Sequence, residues 1–144
     1  MHNQIISNKK INVETLYQKI TYFPNYHLII SSWYPHTRLM NNHDFFLELK
    51  KLFTRLEKTK SKNLLFIFNQ FDFFISPTFL SSYIYPNPSF NKNNLIIKKI
   101  GVILPENNLV RISIEQTIEN FHKCKDFELH IFNNLKQALI WLKN

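Results

Sequence analysis

The chain has 144 residues, enough for one domain that buries about two thirds of its unfolded surface. Hydrophobic residues at 44% and charged residues at 19% describe a globular protein, and a single glycine, Gly101, excludes a P-loop or any other glycine-built phosphate cradle. The net charge of +8 permits a polyanionic partner, but lysines scattered along the chain carry nearly all of it, so the charge reads as compositional and nucleic acid is not an expected partner.

Residues 1–10 read as a flexible lead-in and residues 11–144 as a single domain. The first expected element is one half-buried strand within Val13–Phe23, where Leu16, Ile20 and Tyr22 stand among polar neighbours. Pro24-Asn25 signals a turn, and His27–Trp33 completes an antiparallel hairpin. Asn41 then caps a helix, with Asp44 reaching back from the third helical position. Phe45, Leu49, Leu52, Phe53 and Leu56 form its buried stripe, and Glu48, Lys50, Lys51, Arg55 and Lys58 its outward face.

Leu64 to Phe68 is a continuous apolar run, the pattern of a central strand covered on both faces. Ser76-Pro77 reads as the start of a short helix, with serine accepting from a free N–H and proline lacking one. Pro86 and Pro88 end that helix and open a loop over 86–94. Lys99–Leu104 is the next buried strand. The S-x-x-Q box at Ser113–Gln116 is expected to begin a helix with Ile114, Ile118 and Phe121 inward. The alternating FELHIF is a strand, and Asn133 or Asn134 caps a last helix bearing Leu135, Ala138, Leu139 and Leu142. The order predicts an α/β fold: a mixed, mostly parallel sheet of about five strands, an N-terminal hairpin and about four helices.

This order, together with LIISSWYP, NNHDF, FISP, KKIGVILPE, SIEQT and FNNLKQALIWL, resembles the STAS superfamily and in particular the SpoIIAA-like (STAS/SEC14-type) domains of bacteria. The matching stretches run from about Tyr17 to Leu142. The resemblance implies a regulatory or binding domain rather than an enzyme, working through the loop and helix after the central strand. In anti-sigma-factor antagonists of that kind a serine at the helix N-terminus is phosphorylated, and the matching position here is Ser76. The family's Asp-Ser pair before small residues is replaced by Phe74-Ile75-Ser76-Pro77.

The residues themselves offer Ser76 as a helix cap or phosphorylation site, and a partner or ligand surface built from Trp33, Asp72, Phe73, Phe74, Phe79 and Tyr83. So dense an aromatic run exceeds what a loop and short helix can bury, and an exposed remainder suits a protein partner, a homodimer or an apolar ligand. An apolar or lipid-like ligand would need a closed cavity between that loop and the first helix. Binding of nucleic acid or an anionic surface by the lysines is the third alternative. The six histidines show no ligand spacing, and with one cysteine no metal site is expected. No nucleophile, base and orienter assemble, so neither an enzyme nor a cofactor is expected. No apolar run reaches the roughly 18 residues that cross a bilayer. MHNQIISNKK has no apolar core of signal-peptide length, and lone Cys124 allows no internal disulfide, so the cytoplasm is the expected location.

Overall fold

The computed structural model describes residues 10–90, 95–122 and 126–144; the expected lead-in, apart from Lys10, and Cys124 lie outside them. Six strands form one sheet in sequential order: β1 (Ile11–Glu14), β2 (Gln18–Phe23), β3 (Leu28–Trp33), β4 (Asn63–Ile67), β5 (Lys99–Ile103) and β6 (Glu128–Phe132). The first two pairings are antiparallel and the other three parallel, giving the mixed α/β sheet that the alternation of elements predicts. Among the described residues four α-helices accompany them: α1 (Asn42–Thr59), α2 (Pro77–Phe79), α3 (Asn108–His122) and, after the last strand, α4 (Leu135–Lys143). A π-helical turn, Leu80–Ile84, extends α2, closed by the bond from Tyr85 N–H to Leu80 O.

The expected first strand is two strands, and Thr15 is the cause. Its hydroxyl accepts from the N–H groups of Tyr17 and Gln18, while its own N–H donates to Gln18 O. That local turn outcompetes an unbroken ladder. β1 then folds back on β2, pairing Ile11 with Tyr22 and Glu14 with Lys19.

Right-handed crossovers that advance in one direction put their helices on one face of the sheet. Accordingly Leu52 and Leu56 of α1 pack on Ile20, Ile29 and Leu64, while Val110 and Ile114 of α3 join Val102 and Trp33. The opposite face, with Leu28 and Leu65, receives Ala138 and Leu142 of α4. Gly101 lies beneath α4, where a Cβ would come within 3.1 Å of Leu65 Cδ1 and 3.4 Å of Leu142 Cδ1.

Two other expectations fail for identifiable reasons. α3 starts at Asn108, because Asn107 Oδ1 accepts from the N–H groups of Leu109 and Val110. The S-x-x-Q box therefore lies inside the helix, and Ser113 is buried there. Glu48 likewise belongs to the buried side of α1, at 3% exposure. Its carboxylate accepts from the Thr15 hydroxyl and from Gln18 Nε2 (3.2 Å), and pairs with Lys51 at 3.2 Å. Gln18 Nε2 also donates to Glu48 O, and Gln18 Oε1 accepts from Ser31 Oγ, so every member of this buried set is bonded. The capping box at Asn41 and Asp44 forms as expected, with bonds of 2.8 and 3.0 Å.

Hydrogen bonds to a charged group are worth about 1.5–3 kcal/mol each, and stranding a buried donor costs about as much. Glu48→Ala is expected to lower unfolding free energy by about 2–4 kcal/mol in urea denaturation, and Lys51→Ala, half exposed, by under about 1 kcal/mol. Equal losses would show that the bonds from Thr15 and Gln18 to Glu48 add nothing beyond the ion pair within α1.

Candidate functional site

The loops that follow β3, β4 and β5 meet at the carboxyl edge of the sheet around an open cleft of about 330 Å³. Pro35, His36 and Arg38 come from the first loop, Asn69, Gln70, Phe71 and Asp72 from the second, and Glu106 and Asn107 from the third. Strand order never reverses along β3 to β6, so this is not the crevice of a topological switch point. Backbone and side-chain bonds hold the three loops together. Thr37 Oγ1 accepts from Asp72 N–H at 2.8 Å, Asn69 O accepts from Glu106 N–H at 3.3 Å, and Asn107 Nδ2 reaches Asp72 Oδ1 at 3.5 Å.

The cleft thus presents a guanidinium, an imidazole, two carboxylates and several amides above the buried ring of Phe71. Such a set can exchange hydrogen bonds and charge contacts with a polar partner. Among the described residues no group of three His, Cys, Asp or Glu could hold a metal ion. Among the described residues, neither Ser76 nor Ser113 hydrogen-bonds a histidine. Beside the cleft, burial pushes the Tyr34 phenol above its ordinary pKa, and its bond to Glu14 and that carboxylate's charge push it further.

The aromatic run after Asn69 divides between core and water. Phe71 is buried against Trp33 in an edge-on contact of 5.2 Å, and Phe79 packs near Phe45 at 6.5 Å. Trp33 and Phe79, at 1% and 7% exposure, are therefore core residues and leave the expected surface. Phe73 is half-buried, 5.3 Å from Phe45. Phe74, Tyr83 and Tyr85 face water at 53%, 64% and 42% exposure. Asp72 is exposed in the cleft.

Ser76 is half-buried and caps α2, accepting from Phe79 N–H at 3.4 Å. Ser113, read from the sequence as a cap, instead supports the loop: its hydroxyl donates to Val110 O and accepts from the buried Ile75 N–H at 3.3 Å. His36, Arg38, Glu106 and Asn107 were not singled out by sequence. The available signal was position, since Pro35 and Pro105 each end a parallel-sheet strand and deliver the next residue to the carboxyl edge.

No helix among the described residues is long and apolar enough to cross a membrane. No family model, curated protein or solved structure matches this chain, and nothing in those comparisons identifies a STAS domain.

Removing an N-cap hydroxyl costs typically about 1 kcal/mol, whereas a stranded buried N–H costs about 1–3 kcal/mol. The Ser76 bond is long and half-exposed, so Ser113→Ala is expected to destabilise more than Ser76→Ala in thermal or urea unfolding. The reverse ranking would mean that the loop is not fastened through Ile75.

Proposed function

We propose that the chain is a STAS-like domain of the SpoIIAA kind, a cytoplasmic, non-enzymatic module that grips another protein, or a second copy of itself, with the carboxyl edge of its sheet. The observation that carries this reading is the exposure of Phe74 and Tyr83, at 53% and 64%, on a segment whose neighbours are anchored in the core. Large aromatics presented from a fixed backbone are the usual energetic centres of protein interfaces. The polar cleft supplies what an interface rim needs, charged and amide groups at an open edge. The order of elements and the short stretches from LIISSWYP to FNNLKQALIWL favour the family assignment. Ser76 enters this reading as a helix cap, not as a switch.

The apolar-ligand reading gains no such support. Between the loop and α1, where its cavity would lie, the rings of Phe45, Phe71, Phe73 and Phe79 pack on one another.

Truncating central interface aromatics typically costs 2 kcal/mol or more, which is about thirtyfold in affinity. Phe74→Ala/Tyr83→Ala is expected to abolish retention of the partner captured by the wild-type protein from source-cell extract, or to shift a dimer to monomer in sedimentation, while the melting temperature stays unchanged. A double variant that keeps every captured protein and the same sedimentation coefficient would sink the proposal.

A further inference from the structure

The parallel strands all begin at the edge opposite the cleft, and there the fold gathers lysines that are far apart in sequence. Lys10 enters β1 beside the end of β2, its Nζ 5.4 Å from the Phe23 ring. Lys58 and Lys60 close α1, Lys62 leads into β4, and Lys98 leads into β5. Lys62 O accepts the N–H of Lys98 at 2.7 Å, and His27 O accepts that of Lys62 at 3.0 Å, so these segments touch. Lys143 ends α4 with its Nζ 4.5 Å from the ring of Tyr26. All six of these lysines are exposed.

Opposing charge at this edge is smaller. Glu57, Asp126 and Glu128 lie there, and the C-termini of α1, α3 and α4 contribute about half a negative charge each. Carboxylates and helix ends together offset about four to five of the six lysine charges, so the described residues leave this edge a net excess of about one to two positive charges. Lys99, which donates to Trp141 O at 3.0 Å, is already committed to the end of α4. His27 and Lys60 hold left-handed backbone, with φ of 48° and 51°, positions where glycine or asparagine would cost less.

We infer that this amino edge binds single-stranded nucleic acid, through its phosphates and without reading sequence. Lysines act as point charges on phosphate, and the scarcity of arginine removes the bidentate base contacts that confer specificity. Tyr26, 40% exposed with Lys143 Nζ over one face of its ring, and the exposed His27 stand among the lysines, and these rings would stack on unpaired bases. Among the described residues the edge consists of turns, strand starts and helix ends, with no helix or ribbon projecting to enter a duplex groove. An acidic membrane surface would satisfy the lysines but would make no use of stacking rings.

The test is fluorescence anisotropy with labelled oligo-dT and oligo-U of about 20 nucleotides, a length that exceeds typical single-strand site sizes. Wild-type affinity should fall as salt rises, the logarithmic slope being about −0.7 per phosphate contacted. Lys60→Glu/Lys62→Glu/Lys98→Glu should weaken binding at least about tenfold and flatten that slope. Tyr26→Ala, which leaves charge untouched, should weaken it about fivefold or more. Lys19→Glu/Lys50→Glu/Lys136→Glu makes the same change in net charge, from +8 to +2, away from this edge and should stay within about threefold of wild type. Equal losses in the two triple variants, no oligonucleotide binding at low salt, or binding only to phosphatidylserine vesicles would overturn the inference. The Phe74 and Tyr83 variant alters the other edge, so its result neither supports nor removes this one.

Discussion

Much of this molecule depends on how the chain leaves β4. Phe68 N–H bonds to Ile103 O and Phe71 N–H bonds back to Phe68 O, both at 2.9 Å, so the backbone reverses within four residues. Phe71 is thereby driven under Trp33. Burying such a ring is worth about 1.5–3 kcal/mol, and its ring contact about 0.5–1.5 kcal/mol more. With Phe71 inside, exposure alternates along the segment: Asp72 is exposed, Phe73 half-covered, Phe74 exposed and Ile75 back in the core. Two hydroxyls from other elements, Thr37 and Ser113, take the N–H groups of Asp72 and Ile75. A segment without regular secondary structure is thus fixed at both ends, and the exposure of Phe74 follows from the burial of Phe71 and Ile75.

The same packing has an unmatched polar atom. Trp33 Nε1 is buried with no hydrogen-bond partner among the described residues, and its neighbours are the rings of Phe45, Phe68 and Phe71. An orphan donor costs about 1–3 kcal/mol. The ring contacts and the burial of a whole indole outweigh that, which is why an aromatic cluster tolerates a tryptophan there.

Elements whose signals are local and strong were legible in the sequence. The apolar run Leu64–Phe68 forms most of the central strand and its exit, and the Asn41 box and Ser76-Pro77 cap helices as their chemistry requires. What failed was competition between neighbouring signals. The pattern over Val13–Phe23 suits one strand until the Thr15 hydroxyl is given its two N–H partners. Ser113 has the spacing of a cap, but Asn107 lies six residues earlier and takes the role. Glu48 looked solvent-facing because periodicity weighs a residue by its own polarity. Its burial depends on Gln18 and Ser31, which only the assembled sheet brings near. The cleft was invisible for a related reason, since its three loops are separated by more than thirty positions each and meet only through strand register.

Strand order has a further consequence for where this fold can bind anything. A sheet that reversed its order would open a crevice between helices on opposite faces, and a ligand could sink into it. Here β3 to β6 advance without reversal, and α1, α2 and α3 stack on one face, so the helical layer closes over its own aromatic core. What remains for recognition is the two rims. Helix N-termini, their Asn and Ser caps, and the loop carboxylates occupy one rim, while helix C-termini and lysines occupy the other. The direction of the helices imposes that polarity, because in a parallel layer each helix brings its free N–H groups to the carboxyl edge and its free carbonyls to the amino edge. Side chains then sort in part between the rims: the Asn41, Ser76, Asn107 and Asn134 caps with Asp44 and Asp72 stand at one, and six exposed lysines at the other, beside Glu57, Asp126 and Glu128.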